Sequence, residues 1–231
     1  MSAATPCTAR STSSTSRSRT QSQAGEGSEV EPRPAVAAEA TAADGPVRAR
    51  FAWCVTGSGH FLEDALALAA RLPNVDLFVS SAGEEVLEIY KLHIDDLKQR
   101  FRVFRDKTAS GVPVGMLYED VYHTVVIAPA SSNTVAKCAF GISDTLPTNM
   151  FAQAGKLGIA GIVFACDTEP VVVTKSPHDW VTLRPRRIEL DNVERLRTID
   201  FCRVAGSPAE LEAQLEARLK ELSLAWNTSS S

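Results

Sequence analysis

The sequence contains no C-x-x-C pair. Its five cysteines (Cys7, Cys54, Cys138, Cys166 and Cys202) are scattered and odd in number. That leaves neither a disulfide framework nor a zinc site to read, and it fits a reducing, cytoplasmic setting. Cys54 and Cys138 lie in apolar surroundings and read as buried thiols. No apolar run approaches the roughly 18 to 20 residues of a membrane span, so no membrane partner is expected. A basic excess is also missing. The chain carries 24 Lys and Arg against 28 Asp and Glu, a net charge of -4, so nucleic acid is not expected as a partner.

The first residues lack acids. Met1 to Ala24 holds twelve Ser or Thr and three Arg, and Glu26 to Ala43 then turns acidic and rich in Ala and Pro. Such a stretch cannot bury enough apolar surface to order itself, so residues 1–47 read as a disordered tail. An Arg- and Ser-rich start also fits an organelle transit peptide, but no sustained amphipathic helix supports that alternative. Residues 226–231 read as a second short tail, leaving 48–225 as the folded domain.

Within that domain strands and helices alternate. Phe51 to Val55 is a strand closing on a Gly-rich turn, Thr56-Gly57-Ser58-Gly59. A helix follows, with Phe61, Leu62, Ala65, Leu66, Ala69 and Leu72 on one face, stopped by Pro73 and Asn74. "VDLFVSSAG" is a second strand ending in Ser80 and Ser81, and a broken helical region covers Glu84 to about Phe104. His123 to Ile127 is a third strand. Helices are expected over Val135 to Phe140 and Leu146 to Leu157, and "IAGIVFACD" is a fourth strand. The connections are too long for hairpins. The predicted architecture is therefore an α/β, three-layer Rossmann-like (flavodoxin-like) sheet of mostly parallel strands with helices on both faces. A final helix is expected in "SPAELEAQLEARLKEL". Ser207 would cap it, Pro208 would take N1, Glu210 would complete a capping box, and Leu211, Leu215, Leu219 and Leu222 would dock it.

Ligands of such sheets sit beyond the carboxyl ends of the strands. Here those ends carry Thr56 to Gly59, Ser80 and Ser81, and Pro129-Ala130-Ser131-Ser132-Asn133-Thr134. Consecutive hydroxyl and amide groups are poor core material, because each needs a buried hydrogen-bond partner, but they suit a ligand rich in oxygens. "TGSG" at a strand-to-helix junction can cradle a phosphate, and a tight turn that needs glycine explains it equally well. It lacks the third glycine of the dinucleotide fingerprint, and no acid follows the second strand to grip a ribose. Both points count against NAD and favour a mononucleotide with a polyol chain.

"PASSNTVAKCAFGISD", Pro129 to Asp144, resembles the P-A-S-A-N-T signature of the flavin-binding cysteine-decarboxylase family, flavoproteins related to phosphopantothenoylcysteine decarboxylase. The resemblance spans about Phe51 to Cys166 and implies FMN as cofactor. Gly57, Ser58 and Ser80 would contact it, Ser131, Asn133 and Thr134 would lie along ribityl and ring, and Asp144 and Thr145 close to the isoalloxazine. Lys137 would aid the phosphate or stay solvated. It also implies a homo-oligomer built from trimers, with the flavin at a subunit boundary.

Two departures argue against decarboxylation. The family's catalytic His falls on or near Met116, a thioether that cannot act as a base. Its P-A-M-N motif is replaced by "ACDTEP", Ala165 to Pro170. "SDTLPTNMFAQA" and "LRPRRIELDNVERLRTIDFCRVAGSPAEL" instead resemble archaeal-type dihydromethanopterin reductases and nearby archaeal flavoproteins. That branch implies an FMN-dependent reductase acting on a pterin C=N bond, with an unidentified electron donor. A flavin electron carrier and a flavin prenyltransferase or decarboxylase relative remain as alternatives. No catalytic residue is assigned. Asp144, Asp167 and Glu169 are candidates for a proton, though each reads first as structural. Arg184, Arg186, Arg187, Arg195 and Arg197 would meet an anionic partner or pair with Glu189, Asp191 and Glu194.

Overall fold

Phe51, Trp53 and Val55 point to one side of the first strand and Ala52 and Cys54 to the other, and all five are fully buried. A strand covered on both faces needs a helical layer on each. The computed structural model describes residues 50–106 and 111–227, with the side chains of residues 111 and 112 excepted. The expected tail at 1–47 lies outside the described residues. The chain order is β1 (Arg50–Val55), α1 (Leu62–Arg71), β2 (Val75–Val79), α2 (Ser81–Ile89), α3 (Ile94–Lys98), β3 (Arg102–Arg105) and α4 (Gly111–Gly115). There follow β4 (Tyr122–Ala130), α5 (Ser132–Ala139), α6 (Leu146–Lys156) and β5 (Ala160–Ala165). The last elements are β6 (Val172–Lys175), β7 (Trp180–Leu183), α7 (Arg187–Leu196), β8 (Cys202–Ala205) and α8 (Pro208–Glu221).

The main sheet has the order β3-β2-β1-β4-β5-β8, and all its pairings are parallel. One face is closed by α1, α2 and α8 around Trp53, Leu77 and Phe164. The other is closed by α5, α6 and α7 around Cys54, Ile127 and Val163. The expected three-layer architecture is therefore present. The chain runs outward from β1 through β2 to β3, then returns to place β4 on the other side of β1. The order reverses between β1 and β4, and a crevice opens there beyond the strand ends.

Four expected boundaries change. The helical region from Glu84 to Phe104 is α2, α3 and the edge strand β3. The third strand is longer than His123 to Ile127 and takes in Pro129 and Ala130. The next helix starts at Ser132 instead of Val135, because the Ser131 hydroxyl accepts from the Thr134 N–H and closes the first turn. The stretch before α8 contains α7 and β8, with β6 and β7 forming a separate antiparallel hairpin.

Ser207 caps α8 by accepting from Glu210 N, but the capping box is offset. The Glu210 carboxylate accepts from Gly206 N at 2.9 Å, one residue before the cap. Leu211, Leu215 and Leu219 are buried as expected. Trp226 and Asn227 do not belong to the expected second tail. Trp226 lies under the Arg71 guanidinium, 4.5 Å from its ring centre, and Asn227 donates to Arg71 O and Leu72 O. Both residues belong to the folded body.

At the amino end of the sheet, the fully buried Asp76 carboxylate accepts from Arg50 Nε at 2.9 Å and from Tyr122 OH at 2.7 Å. Burial, reinforced by Asp76, pushes the Tyr122 phenol well above its ordinary pKa. This cluster joins β1, β2 and β4 at the end away from the crevice.

Candidate functional site

Thr56 holds the crevice together. Its buried hydroxyl donates to Pro129 O at 2.7 Å and accepts from Ser131 N at 3.0 Å, so one side chain ties the turn after β1 to the start of α5. The glycines beside it serve close packing. A Cβ on Gly57 would lie 2.8 Å from Ala82 Cβ, and one on Gly83 would lie 2.7 Å from Val55 O. Glycine at both positions lets the β1 turn and the first turn of α2 approach each other.

Ser80 and Ser131 are the N-cap residues of α2 and α5, each accepting from the N–H three residues on. The two helix N-termini therefore meet beside the crevice; the Ser80 hydroxyl keeps a hydrogen to donate, while the Ser131 hydroxyl also meets Thr134 Oγ1 at 3.1 Å. Between them lies a cleft of about 590 Å3 lined by Gly57, Ser80, Ser81, Ala82, Asp106, Ser131, Asn133, Thr134, Lys137, Asp144 and Thr145. Nine of the residues singled out from the sequence thus share one cavity: Gly57, Ser80, Ser81, Ser131, Asn133, Thr134, Lys137, Asp144 and Thr145.

The rest of that set lies elsewhere. Thr56 sits beneath the floor. The Ser58 hydroxyl donates to Cys166 Sγ at 3.0 Å. Gly59 faces Tyr90, whose hydroxyl oxygen a Cβ would strike at 2.2 Å. Pro129 and Ala130 close strand β4. Ser132 turns away to hydrogen-bond Asp167.

Two charged groups join the cleft. Asp106 follows β3, and its carboxylate accepts from Leu146 N at 2.9 Å, helping to cap α6 where Thr145 and Thr148 form a capping box. Sequence reasoning missed it because β3 was not recognised as a strand, so Asp106 did not register as a residue at a strand's carboxyl end. Lys137 faces the cleft and pairs with Asp144 at 2.9 Å.

The candidate proton carriers are already engaged or lie outside the cleft. Asp144 holds Lys137, Asp167 holds Ser132, and Glu169 is exposed away from the cleft. Met116 packs against the core and accepts a long contact from Tyr122 OH at 3.8 Å. His60, in the β1–α1 turn, meets Thr174 Oγ1 through Nδ1 at 2.7 Å, and burial lowers its pKa against the opposing pull of Asp167 and Asp64. Burial pushes the Cys166 thiol up to about 12, which leaves it protonated and a poor nucleophile at neutral pH. None of the five arginines lines the cleft. Arg186, Arg187 and Arg197 pair with Glu189, Asp191 and Glu194, and Arg195 stacks over Phe140. Among the described residues no cluster of His, Cys, Asp or Glu could hold a metal ion.

A parallel sheet with an oxygen-seeking cleft at its switch point defines a nucleotide-cofactor protein of the doubly wound class. More narrowly, residues 42–221 match the family model named Flavoprotein, and the chain belongs to that family. The crystal structure of Burkholderia xenovorans DmrB in complex with FMN, described there as a cubic protein cage for redox transfer, superposes with a TM-score of 0.72. It shares 67% identity and covers 77% of this chain and 98% of that one. An uncharacterized protein of Methanocaldococcus jannaschii is 34% identical over 71% of this chain and 92% of its own length. A dihydromethanopterin reductase (acceptor) of Methanosarcina mazei is 35% identical over 56% of this chain, and the match spans 60% of that reductase.

Proposed function

We propose that this chain is an FMN-dependent oxidoreductase that reduces a dihydropterin, dihydromethanopterin in the first instance, to its tetrahydro form. The observation that carries this reading is the make-up of the cleft. Its lining offers hydroxyl, amide and helix N-terminal donors and one ammonium group. Among the described residues there, no histidine or cysteine is present to do chemistry. Such a cleft binds and orients, and the bound group must supply the reaction. Reduced FMN, when bound, supplies a hydride equivalent for a ring imine carbon, while a proton reaches the adjacent nitrogen.

The residues fit that cofactor. The N-termini of α2 and α5 with Ser80, Ser81 and Lys137 suit a phosphate. Ser131, Asn133 and Thr134 suit ribityl hydroxyls and ring edges, and Asp144 and Thr145 stand at the far wall. The names and cofactor of the relatives support the same assignment. The electron donor is taken to be a separate partner. A closed homo-oligomer in multiples of three completes the reading, because a cleft at the strand ends of a monomer stays open on one side.

Binding is tested first. The purified protein is expected to carry about one FMN per chain, and Asn133→Asp should weaken it, since a donor amide becomes an acceptor-only carboxylate. A protein that ignores FMN in a titration would end the proposal. Function is tested by photoreducing the bound FMN without oxygen and adding dihydromethanopterin. Prompt return of the oxidised spectrum with tetrahydro product is expected. If the spectrum returns only on adding a protein acceptor, the electron-carrier alternative replaces this one.

A further inference from the structure

At the amino end of the sheet, away from the cleft, lies a recess of about 300 Å3 whose polar walls are Arg50, Asn74, Arg100, Arg102 and Asn227. They come from distant parts of the chain. Arg50 opens β1, Asn74 stands in the turn before β2, Arg100 and Arg102 flank the entry to β3, and Asn227 follows α8. Three guanidinium groups thus converge on one hollow in a chain whose net charge is -4. No carboxylate lines it among the described residues. The fully buried Asp76 pairs with Arg50 and offsets one of the three charges, which leaves two.

Freely solvated arginines splay apart, because like charges repel. These three are held together. Arg50 is fixed by Asp76, Arg100 donates to Ala70 O at 2.9 Å in the last turn of α1, and the Arg102 guanidinium lies 4.6 Å from the centre of the Phe104 ring. Among the described residues neither Arg100 nor Arg102 has a carboxylate partner. Each guanidinium carries five N–H donors, and these contacts use only part of them. A planar fork already held in place meets the oxygens of a phosphate two at a time, with little further loss of side-chain freedom.

We propose that this recess is a binding site for a small, multiply charged phosphate, separate from the cleft. The walls decide the class of ligand. Leu72, Val75 and Phe101 also border the recess, but they are only 2%, 6% and 8% exposed, so an aromatic base finds no face to stack on. The volume lies at the lower end of the roughly 300 to 1,000 Å3 of small-molecule sites, which suits a phosphate group and not a whole nucleotide. Arg50 and Thr56 stand six residues apart along β1, roughly 20 Å of extended strand, so an anion held here leaves the cleft free. It ties the edge strand β3 and Asn227 to the start of β1, and occupancy therefore raises stability.

The test is isothermal titration calorimetry with thermal melting, on the full-length protein saturated with FMN so that any phosphate place in the cleft is filled. The probes are inorganic diphosphate and ribose 5-phosphate, with sodium chloride at equal ionic strength as control. One site per chain and a raised Tm are expected, with the flavin absorbance unchanged. Tighter binding of diphosphate assigns the site to the free anion, and tighter binding of ribose 5-phosphate assigns it to phosphate esters. Arg100→Gln combined with Arg102→Gln should lower the affinity at least about tenfold, as the loss of charge-assisted hydrogen bonds requires. Arg184→Gln combined with Arg187→Gln removes the same charge elsewhere and should leave it unchanged. Circular dichroism matching the parent confirms that each variant is folded. If the protein takes up no FMN the variants still decide, because neither Arg100 nor Arg102 lines the cleft. No binding of either probe, parental affinity in the Arg100 and Arg102 variant, or an equal loss in the Arg184 and Arg187 variant would overturn the proposal.

Discussion

Thr56 is the side chain on which the cleft most depends, because its hydroxyl satisfies two main-chain groups on another strand end at once. Replacing it by valine keeps the shape and strands both groups in a buried place. An unsatisfied buried polar group costs on the order of 1 to 3 kcal/mol. Thr56→Val should therefore lower unfolding stability by about 2 kcal/mol or more, measured by denaturant titration, and weaken FMN binding by loosening Ser131. His60 supplies a pH-dependent counterpart. Burial holds its folded pKa below the ordinary value, so the unfolded chain binds the proton more readily. Stability is intact above the ordinary histidine pKa of about 6.5 and is lost as pH falls through that window toward the folded value. His60→Gln should flatten the fall in Tm on acidification below that point while leaving Tm at pH 8 nearly unchanged. An unchanged acid slope would show that His60 does not carry it.

At the scale of elements, the end of the chain matters more than its composition suggests. Trp226 packs against Arg71 and the core, and Asn227 satisfies two carbonyls at the carboxyl end of α1. A chain ending at Leu224 loses both. The expected cost is about 2 kcal/mol, or roughly 4 to 8 °C in Tm for a domain of this size. A truncated protein that melts with the parent would place the folded boundary back at 225. The same scale shows what the sequence made legible. β1, β2, β4 and β5 are buried on both faces and read as apolar runs. β3 ("RVFR") and β8 ("CRVA") are sheet edges of four residues in which arginines interrupt the run, so no strand pattern stood out. Without β3, Asp106 had no visible place at a strand end. The hydroxyl cluster was legible because those residue types are unsuited to a core. Their directions were not. Successive residues in the first turn of α5 point about 100° apart, so Ser131 and Thr134 meet each other while Ser132 turns to Asp167. The hairpin escaped notice because its two strands span four residues each and, of those eight, Val172 and Thr174 alone are buried, too short an alternation to stand out.

For the whole molecule, the family's fold leaves open which chemistry the cleft performs, since one fold hosts many activities and the site decides. Decarboxylation of a peptidyl or phosphopantothenoyl cysteine would need a base near the reacting cysteine and a segment to clamp the substrate. Near the position where the decarboxylases carry their histidine, this chain has Met116, packed into the core beside Tyr122 and absent from the cleft lining. In place of the clamp motif, Asp167 is spent on Ser132, and Cys166 is held between Ser58 and the His60 carbonyl. The acids of the cleft are also committed, Asp106 to the α6 N-terminus and Asp144 to Lys137. A flat acceptor that only needs to lie against a bound ring loses nothing by these changes, whereas a cysteine substrate loses both its base and its clamp. Incubating the FMN-loaded protein with such a cysteine substrate should leave the substrate mass unchanged, while the reduced protein oxidises on adding dihydromethanopterin. Loss of carbon dioxide by mass spectrometry would mean that another group serves as the base, with His60 the first to substitute.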